Sequence, residues 1–219
     1  MNPLFEHPHV INMQYVFLLG LVFSSVIVFL LRRSKSSYLL AALPIFVVTF
    51  HQVDEYLISP YLFGEEYHFL NWAYRFGVDI TPLAVVTINL IGYLIALLPF
   101  LFKQASKSFS LMYLFVSGSL LANSMFHLGG STIQSDYSPG MVTALFLFLP
   151  LYIKSVLLAA ERNVTFKLIF ALSLYGFIGH FIMIFILNVI WADSDPSMRL
   201  VNSVFMCDCC SCCECTCCS

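Results

Sequence analysis

Long apolar runs alternate with short polar islands along most of the chain. A helix needs roughly 20 predominantly apolar residues to cross the hydrocarbon core of a bilayer. Runs of this length predict six transmembrane helices, at 13–31, 38–58, 80–102, 109–128, 139–159 and 166–192. Helices are the expected form because lipid gives a loose backbone no hydrogen-bond partner. The pattern therefore predicts an all-α fold, a six-transmembrane-helix bundle within a membrane domain spanning residues 1–192.

Composition strengthens this interpretation and narrows the partners. The chain is 60% hydrophobic and only 10% charged, whereas soluble domains average about 25% charged residues. The formal net charge of −2 gives no indication of nucleic acid binding. The first apolar run lacks a preceding basic flank and is long enough to span, so it is typical of a membrane helix and not of a cleaved signal peptide. The lipid bilayer is the expected environment, and the oligomeric state stays open.

Basic residues predict an orientation. With six spans, one side of the membrane holds eight of the ten Lys and Arg residues. They are Arg32, Arg33, Lys35, Lys103, Lys107, Lys154, Arg162 and Lys167. The positive-inside rule makes that side cytoplasmic. The expected location is the cell membrane, with both termini outside.

The stretch "FHQVDEYLISP" (50–60) places three ionisable groups within the second predicted span. His51, Asp54 and Glu55 have i, i+3, i+4 spacing and share one helix face. A single charged residue at mid-bilayer costs about 2.5–3.5 kcal/mol on insertion scales. These groups are therefore expected to face the bundle interior and to find partners there.

Other predicted spans offer such partners. Span four carries a polar stripe at steps of three or four residues: Ser119, Asn123, His127, Ser131 and Gln134. Span three contributes Asn89 and span six contributes His180, with Gly176 and Gly179 on the same helix permitting close approach. The sequence predicts that these groups converge with His51 in a pocket below the outer surface.

The ordered set of motifs resembles the HXXEE-domain family of small membrane proteins. "HQVDE" (51–55) matches the name-giving motif, with Asp54 in place of the first glutamate. "TINLIGY" (87–93), "NSMFH" (123–127), "YSPG" (137–140) and the histidine of "IGHFI" resemble later signatures, so the likeness covers about residues 10–192. The resemblance implies a polytopic helical fold and this set of residues, but no particular reaction.

One hypothesis is a divalent metal site, with Zn²⁺ favoured. His51, Glu55, His127 and His180 are the candidate ligands, and catalytic zinc typically takes three protein ligands and one water. Whichever carboxylate of Glu55 and Asp54 does not bind the ion would act as general base towards that water. Asn89 and Asn123 would hold the imidazoles in orientation, and Tyr137 would lie at the cavity mouth. The reaction would be hydrolysis of a lipid or an amphipathic ester or amide.

Two other interpretations stay open. Histidine and carboxylate chains also mark proton relays and solute transporters, although no inverted repeat is evident. The same polar groups would otherwise only hold helices together in a non-catalytic membrane protein.

Three further segments carry local predictions. The loop at 59–78 is expected to be solvated, with Trp72, Tyr74 and Phe76 in an interfacial aromatic belt. Ser138 is expected to cap the helix that begins at Pro139. The tail at 193–219 contains all eight cysteines. It is expected to be disordered unless it binds a soft metal or forms disulfides. Acylation and a plain low-complexity extension stay open as other interpretations.

Overall fold

The computed structural model describes residues 8–75 and 80–192, and their regular elements are all helical. We number the helices α1 to α7. They are α1 Pro8–Arg33, α2 at 39–63, α3 Phe69–Arg75, α4 Pro82–Leu97, α5 Lys107–Gln134, α6 at 141–161 and α7 Phe166–Ala192. Short 3₁₀ turns occupy Glu65–Tyr67 and Leu98–Leu101. The predicted all-α class is confirmed for these residues, while the tail at 193–219 lies outside them.

Five helices are long and apolar enough to cross a membrane: Val10–Arg33, Pro82–Leu101, Lys107–Gln134, Met141–Glu161 and Phe166–Ile186. The outward faces of these helices carry many exposed large apolar side chains. The remaining predicted span is present as the continuous helix α2. It is not among the five because the polar turn around His51 and Asp54 lowers its mean hydropathy. The chain is thus an all-helical integral membrane protein.

Two of the long helices contain a π turn. In α2, the α-helix Leu39–Val53 passes into the π-helix Asp54–Ile58 and then into Ser59–Phe63. In α6, the π-helix Ala144–Phe148 separates Met141–Thr143 from Leu149–Glu161. Single π turns are rare and frequently lie at functional sites. Both of them adjoin the same cluster of buried polar side chains.

The basic loops meet at one end of the bundle. Tyr38 stacks on Phe100 with ring centroids 5.9 Å apart. The guanidinium of Arg162 donates to the Ser106 carbonyl at 2.6 Å. The loops after α1, α4 and α6 therefore lie together, as an alternating up-and-down arrangement requires.

The segment between α2 and α4 corrects the prediction of a solvated loop. α2 continues to Phe63, and the segment then folds back through α3. His68, Phe69 and Trp72 are buried there. Trp72 has no exposed surface and packs on Phe69 and Phe126, so it is core and not part of an interfacial belt. Phe76 lies outside the described residues.

Candidate metal centre

One carboxylate and two imidazoles meet inside the bundle, close to the loop before α6 and opposite the end that carries the basic loops. Glu55 Oε1 lies 3.3 Å from His51 Nε2 and 3.1 Å from His127 Nε2. One ligand atom from each residue lies within 4.8 Å of the other two. All three side chains are almost completely buried. Side chains from α2, which is the second predicted span, and from α5 therefore meet at this site.

These separations suit metal ligands. Zinc binds nitrogen at about 2.0–2.1 Å and carboxylate oxygen at about 2.0–2.2 Å. Two ligands of a tetrahedral ion are then about 3.3 Å apart. Both Glu55–histidine distances are close to this value. Apart from Glu55, neither His51 Nε2 nor His127 Nε2 has a polar partner among residues 8–75 and 80–192.

Thr143 fixes the orientation of His51. Its Oγ1 lies 2.8 Å from His51 Nδ1, and its hydroxyl donates towards Asp54 Oδ2 at 2.8 Å and the Gly140 carbonyl at 2.9 Å. With Asp54 ionised, both of these oxygens only accept, so the Thr143 hydroxyl donates to one of them and His51 Nδ1–H donates to Thr143 Oγ1. A neutral His51 then directs the lone pair of Nε2 at the Glu55 carboxylate. This contact is favourable only if a proton or a cation lies between them.

The second imidazole is held in a similar way. His127 Nδ1 lies 2.9 Å from Ser138 Oγ. Ser138 is fully buried, and the first residue of α6 is Met141. The prediction that Ser138 caps this helix is therefore wrong: Gly140 occupies the cap position, and the Ser138 hydroxyl serves the histidine instead. Hydrogen bonds of this kind typically fix the tautomer and ring direction of metal-binding histidines.

Asp54 lies two hydrogen bonds from the cluster, on the far side of Thr143. Its Oδ1 accepts from Ser59 at 3.0 Å and its Oδ2 accepts from Thr143 at 2.8 Å. It is not one of the three converging ligands. The two neighbouring carboxylates therefore have different partners. Glu55 contacts the imidazoles of His51 and His127, whereas Asp54 accepts from the Thr143 hydroxyl that orients His51.

Three other predicted site residues line an adjoining cavity of about 330 Å³. Asn89 donates to Gln52 Oε1 at 3.0 Å, so it lies beside the helical turn that carries His51. Asn123 and His180 also line the cavity, and the three-residue group does not include His180. His51 belongs to both the cavity wall and the group, so the two spaces adjoin.

The predicted mouth residue, Tyr137, packs against the end of α2. Its hydroxyl lies 3.3 Å from Ser59 Oγ and its ring centroid 4.8 Å from that of Phe63. Beside it, Tyr67 donates to Asp136 at 2.9 Å, which raises the pKa of the phenol because the carboxylate stabilises its protonated form. These contacts hold the segment after α2 against the loop before α6.

Sequence reasoning missed the contributions of Ser59, Ser138, Gly140 and Thr143. Ser138 and Gly140 belong to the motif "YSPG", and Thr143 follows it by three residues. A hydroxyl residue at a helix start is more simply interpreted as a cap, so this motif did not indicate contacts with the histidines. Gly140 has a φ of +81°, and a β-carbon there would lie 2.7 Å from both Glu55 Cγ and His51 Cε1. The loop therefore approaches the cluster as closely as a backbone without a side chain allows.

Fold and site together define a polytopic helical membrane protein with a buried histidine–glutamate cluster. The chain belongs to the family described as "Protein of unknown function with HXXEE motif", whose sequence profile matches residues 40–155. The matched region contains His51, Glu55, His127, Ser138 and Thr143. No curated protein and no solved structure matches the chain.

Proposed function

We propose that this protein is a metal-dependent hydrolase embedded in the membrane, with His51, Glu55 and His127 as the three protein ligands. One observation supports this most strongly. The Nε2 atoms of His51 and His127 both contact Glu55 Oε1 and have no other polar partner among the described residues. Two imidazoles and a carboxylate are a common ligand set for catalytic zinc, with the fourth position left for water. We assign Zn²⁺ as the ion on this basis.

Charge balance supports a divalent cation. Asp54 and Glu55 are both buried, and among the ion pairs of the described residues none joins either carboxylate to a lysine or arginine. An unpaired buried carboxylate is costly. One divalent ion held by two neutral imidazoles would balance the charge of both carboxylates without a proton on either of them.

The ion would supply a water that ionises near neutral pH and would polarise a substrate carbonyl. We assign the role of proton acceptor to Glu55 Oε2, because Oε1 faces the two imidazoles and both oxygens of Asp54 already accept hydroxyl groups. In the hydrolysis, water would add to the carbonyl carbon as the C–O or C–N bond breaks, and Glu55 would pass the proton of that water to the leaving group. Asp54 acts on His51 through Thr143, as a positioning residue.

The substrate would be amphipathic. The adjoining cavity is lined mainly by apolar side chains, yet it has His51, Gln52, Asn89, Asn123 and His180 on its wall. The apolar side chains suit a hydrocarbon chain of the substrate, and the polar side chains suit its reacting group. In a six-span bundle with the basic loops cytoplasmic, the metal centre lies near the outer leaflet.

The test is metal content by mass spectrometry of the purified full chain. Serine replaces all eight cysteines between Cys207 and Cys218, so that the tail contributes no thiolate. One zinc per chain is expected, and Glu55→Gln and His127→Gln should lose it. His180→Gln is the matched control and should retain it. Absence of stoichiometric metal in the parent, or retention in Glu55→Gln, would refute the metal assignment.

A proton pathway is the second candidate, because one observation favours it. Asp54, Thr143, His51, Glu55 and His127 form a continuous series of polar contacts, each 3.3 Å or shorter. Protons on the imidazoles would then replace the metal ion. This alternative predicts pH-gradient-driven flux into vesicles that Glu55→Gln abolishes, in a protein that contains no metal.

A further inference from the structure

Most polar side chains of the cavity beside the metal centre lie towards one of its ends. Helices α2 and α5 begin where the basic loops meet, and α4 ends there, so residue numbers on these helices order the lining from end to end. Towards the metal centre the lining includes His51, Gln52, Asn89 and Asn123. Towards the basic loops it includes Ile95, Ala96, Phe115 and Val116. An amphipathic molecule is therefore best accommodated with its polar group beside the metal centre and its chain directed towards the basic loops.

The lining residues also indicate how long the cavity is. They extend from Ile88 to Ala96 on α4 and from Phe115 to Asn123 on α5. At 1.5 Å of rise per residue, each stretch spans about 12 Å. An extended hydrocarbon chain adds about 1.25 Å for each carbon, from bonds of about 1.5 Å at an angle of about 111°. The cavity therefore has the length of a chain of about ten carbons. Its volume of about 330 Å³ is at the lower end of the range of about 300–1,000 Å³ for small-molecule sites, which suits a single chain.

One hydrogen-bond donor at the polar end is unused. Asn89 Nδ2 donates to the Val85 carbonyl and to Gln52 Oε1, both at 3.0 Å. Because the Val85 carbonyl only accepts, these two contacts fix which amide atoms of Asn89 and Gln52 face each other. Gln52 Nε2 is left without an acceptor among the described residues, yet it is not a fully enclosed atom. A carbonyl oxygen of a ligand in the cavity would supply the missing acceptor.

The opposite end of the cavity has a wall with little freedom to move. Gly118 and Gly176 bring α5 and α7 into close contact there. A β-carbon at Gly118 would lie 2.7 Å from the Ser173 carbonyl oxygen, and one at Gly176 would overlap the carbonyl oxygen of Phe115. The backbone that carries Phe115 is thus held against α7. A chain that reaches this end therefore meets a side chain that cannot easily retreat.

We propose that the cavity binds one single-chain acyl compound of about ten carbons, with a carbonyl oxygen accepting from Gln52 Nε2 and its terminal methyl group against Ile95 and Phe115. Ile95 and Phe115 then set the maximum chain length. This inference rests on the proposed function for its chemistry, since it names the substrate class that the metal centre would hydrolyse. The binding step itself needs no metal.

Methyl ketones of increasing chain length test the proposal, because they carry a carbonyl but no bond that hydrolysis would break. Binding of tritiated ketones with alkyl chains from hexyl to hexadecyl is measured on the full chain in nanodiscs. Each affinity is corrected for partition of the same ketone into empty nanodiscs. Affinity should be highest near decyl and at least about fivefold lower for hexadecyl, because the extra carbons would overpack the end of the cavity.

Two substitutions at the far end should move this optimum in opposite directions. Phe115→Ala removes a large side chain and should favour longer chains, whereas Ile95→Phe adds volume and should favour shorter ones. Phe177→Ala and Leu94→Phe are the matched controls, because neither residue lines the cavity and Leu94 is exposed. Both controls should keep the optimum of the parent. The melting temperature of each variant checks that it has folded.

A third substitution tests the polar end. Gln52→Met keeps the approximate size of the side chain and removes its N–H donor. It should weaken binding of the decyl ketone, relative to the alkane of equal length, by about two- to tenfold, which is the effect of one hydrogen bond. An affinity that follows partition alone, an unchanged optimum in both Phe115→Ala and Ile95→Phe, or an unchanged ketone preference in Gln52→Met would overturn the inference.

The metal assignment and this inference can fail separately. A chain-length optimum in a protein that contains no zinc would refute the hydrolase and leave the binding site standing. Stoichiometric zinc, with ketone affinities that follow partition alone, would overturn the binding site and leave the metal assignment standing.

Discussion

Replacing Gly140 by alanine should distort the metal centre without removing any of its ligands. Gly140 has φ +81° and ψ −6°, in the left-handed region. The added β-carbon would lie 2.7 Å from Glu55 Cγ and from His51 Cε1 and 3.2 Å from His51 Nδ1. The contact atoms are buried, so neither side chain can move into solvent. Either the loop or two of the three proposed ligands must shift.

The size of the effect follows from two costs. A left-handed backbone conformation costs a non-glycine residue about 1–2 kcal/mol. Overpacking a tightly filled interior adds about 1–3 kcal/mol. If about half of the combined cost of about 2–5 kcal/mol is relieved by displacing ligands, zinc affinity falls by about fivefold to sixtyfold. The rest should appear as a lower free energy of unfolding.

The assay is competition for zinc between the detergent-solubilised protein and a chromophoric chelator, together with thermal unfolding with and without zinc. Gly92→Ala is the control, since its β-carbon meets no atom within 4 Å. This helical site should gain up to about 1 kcal/mol from alanine. If Gly140→Ala binds zinc within about threefold of the parent and melts at the same temperature, the close approach of this loop to the ligands is wrong.

Two more predictions follow from the site and the topology. Thr143→Val keeps the shape of the side chain but leaves His51 Nδ1 and Asp54 Oδ2 without their shared hydroxyl, so zinc affinity should fall about 10–100-fold in the same competition assay. Thr143→Ser should restore most of that affinity, and an equal loss in both variants would contradict an orienting role for the hydroxyl. For the orientation, a membrane-impermeant maleimide should label the cysteines at 207–218 in intact cells, whereas labelling only after lysis would reverse the predicted topology.

The helical architecture could be predicted because hydrophobic length is a strong signal in membranes. The predicted spans coincide with the long helices to within a few residues at most ends, and α5 continues to Gln134, which places His127 well inside it. The polar stripe on that helix includes His127, whose Nε2 lies 3.1 Å from Glu55 Oε1. The short helix α3 could not be predicted in the same way, because seven residues with mixed polarity carry little periodicity.

The details of the site depended on backbone features with no simple sequence signal. Regular α-helical spacing assigns His51, Asp54 and Glu55 to one face without distinguishing the two acids. The π turn that begins at Asp54 changes the register there, and the two carboxylates find different partners. The contribution of Thr143 depends on how the loop before α6 folds towards α2, which is a long-range contact that local patterns do not encode.

This inequivalence explains why the HXXEE motif tolerates an aspartate at its first acidic position in this chain. Position 55 must reach two imidazoles on different helices, and the glutamate oxygen does so at 3.1 and 3.3 Å. Position 54 needs only to reach Ser59 and Thr143, one of them on its own helix, and the shorter side chain makes both contacts within 3.0 Å. Loss of one methylene therefore preserves the positioning role at Asp54. The same change at Glu55 would withdraw the carboxylate from the imidazoles, since no other acid of the described residues contacts them directly.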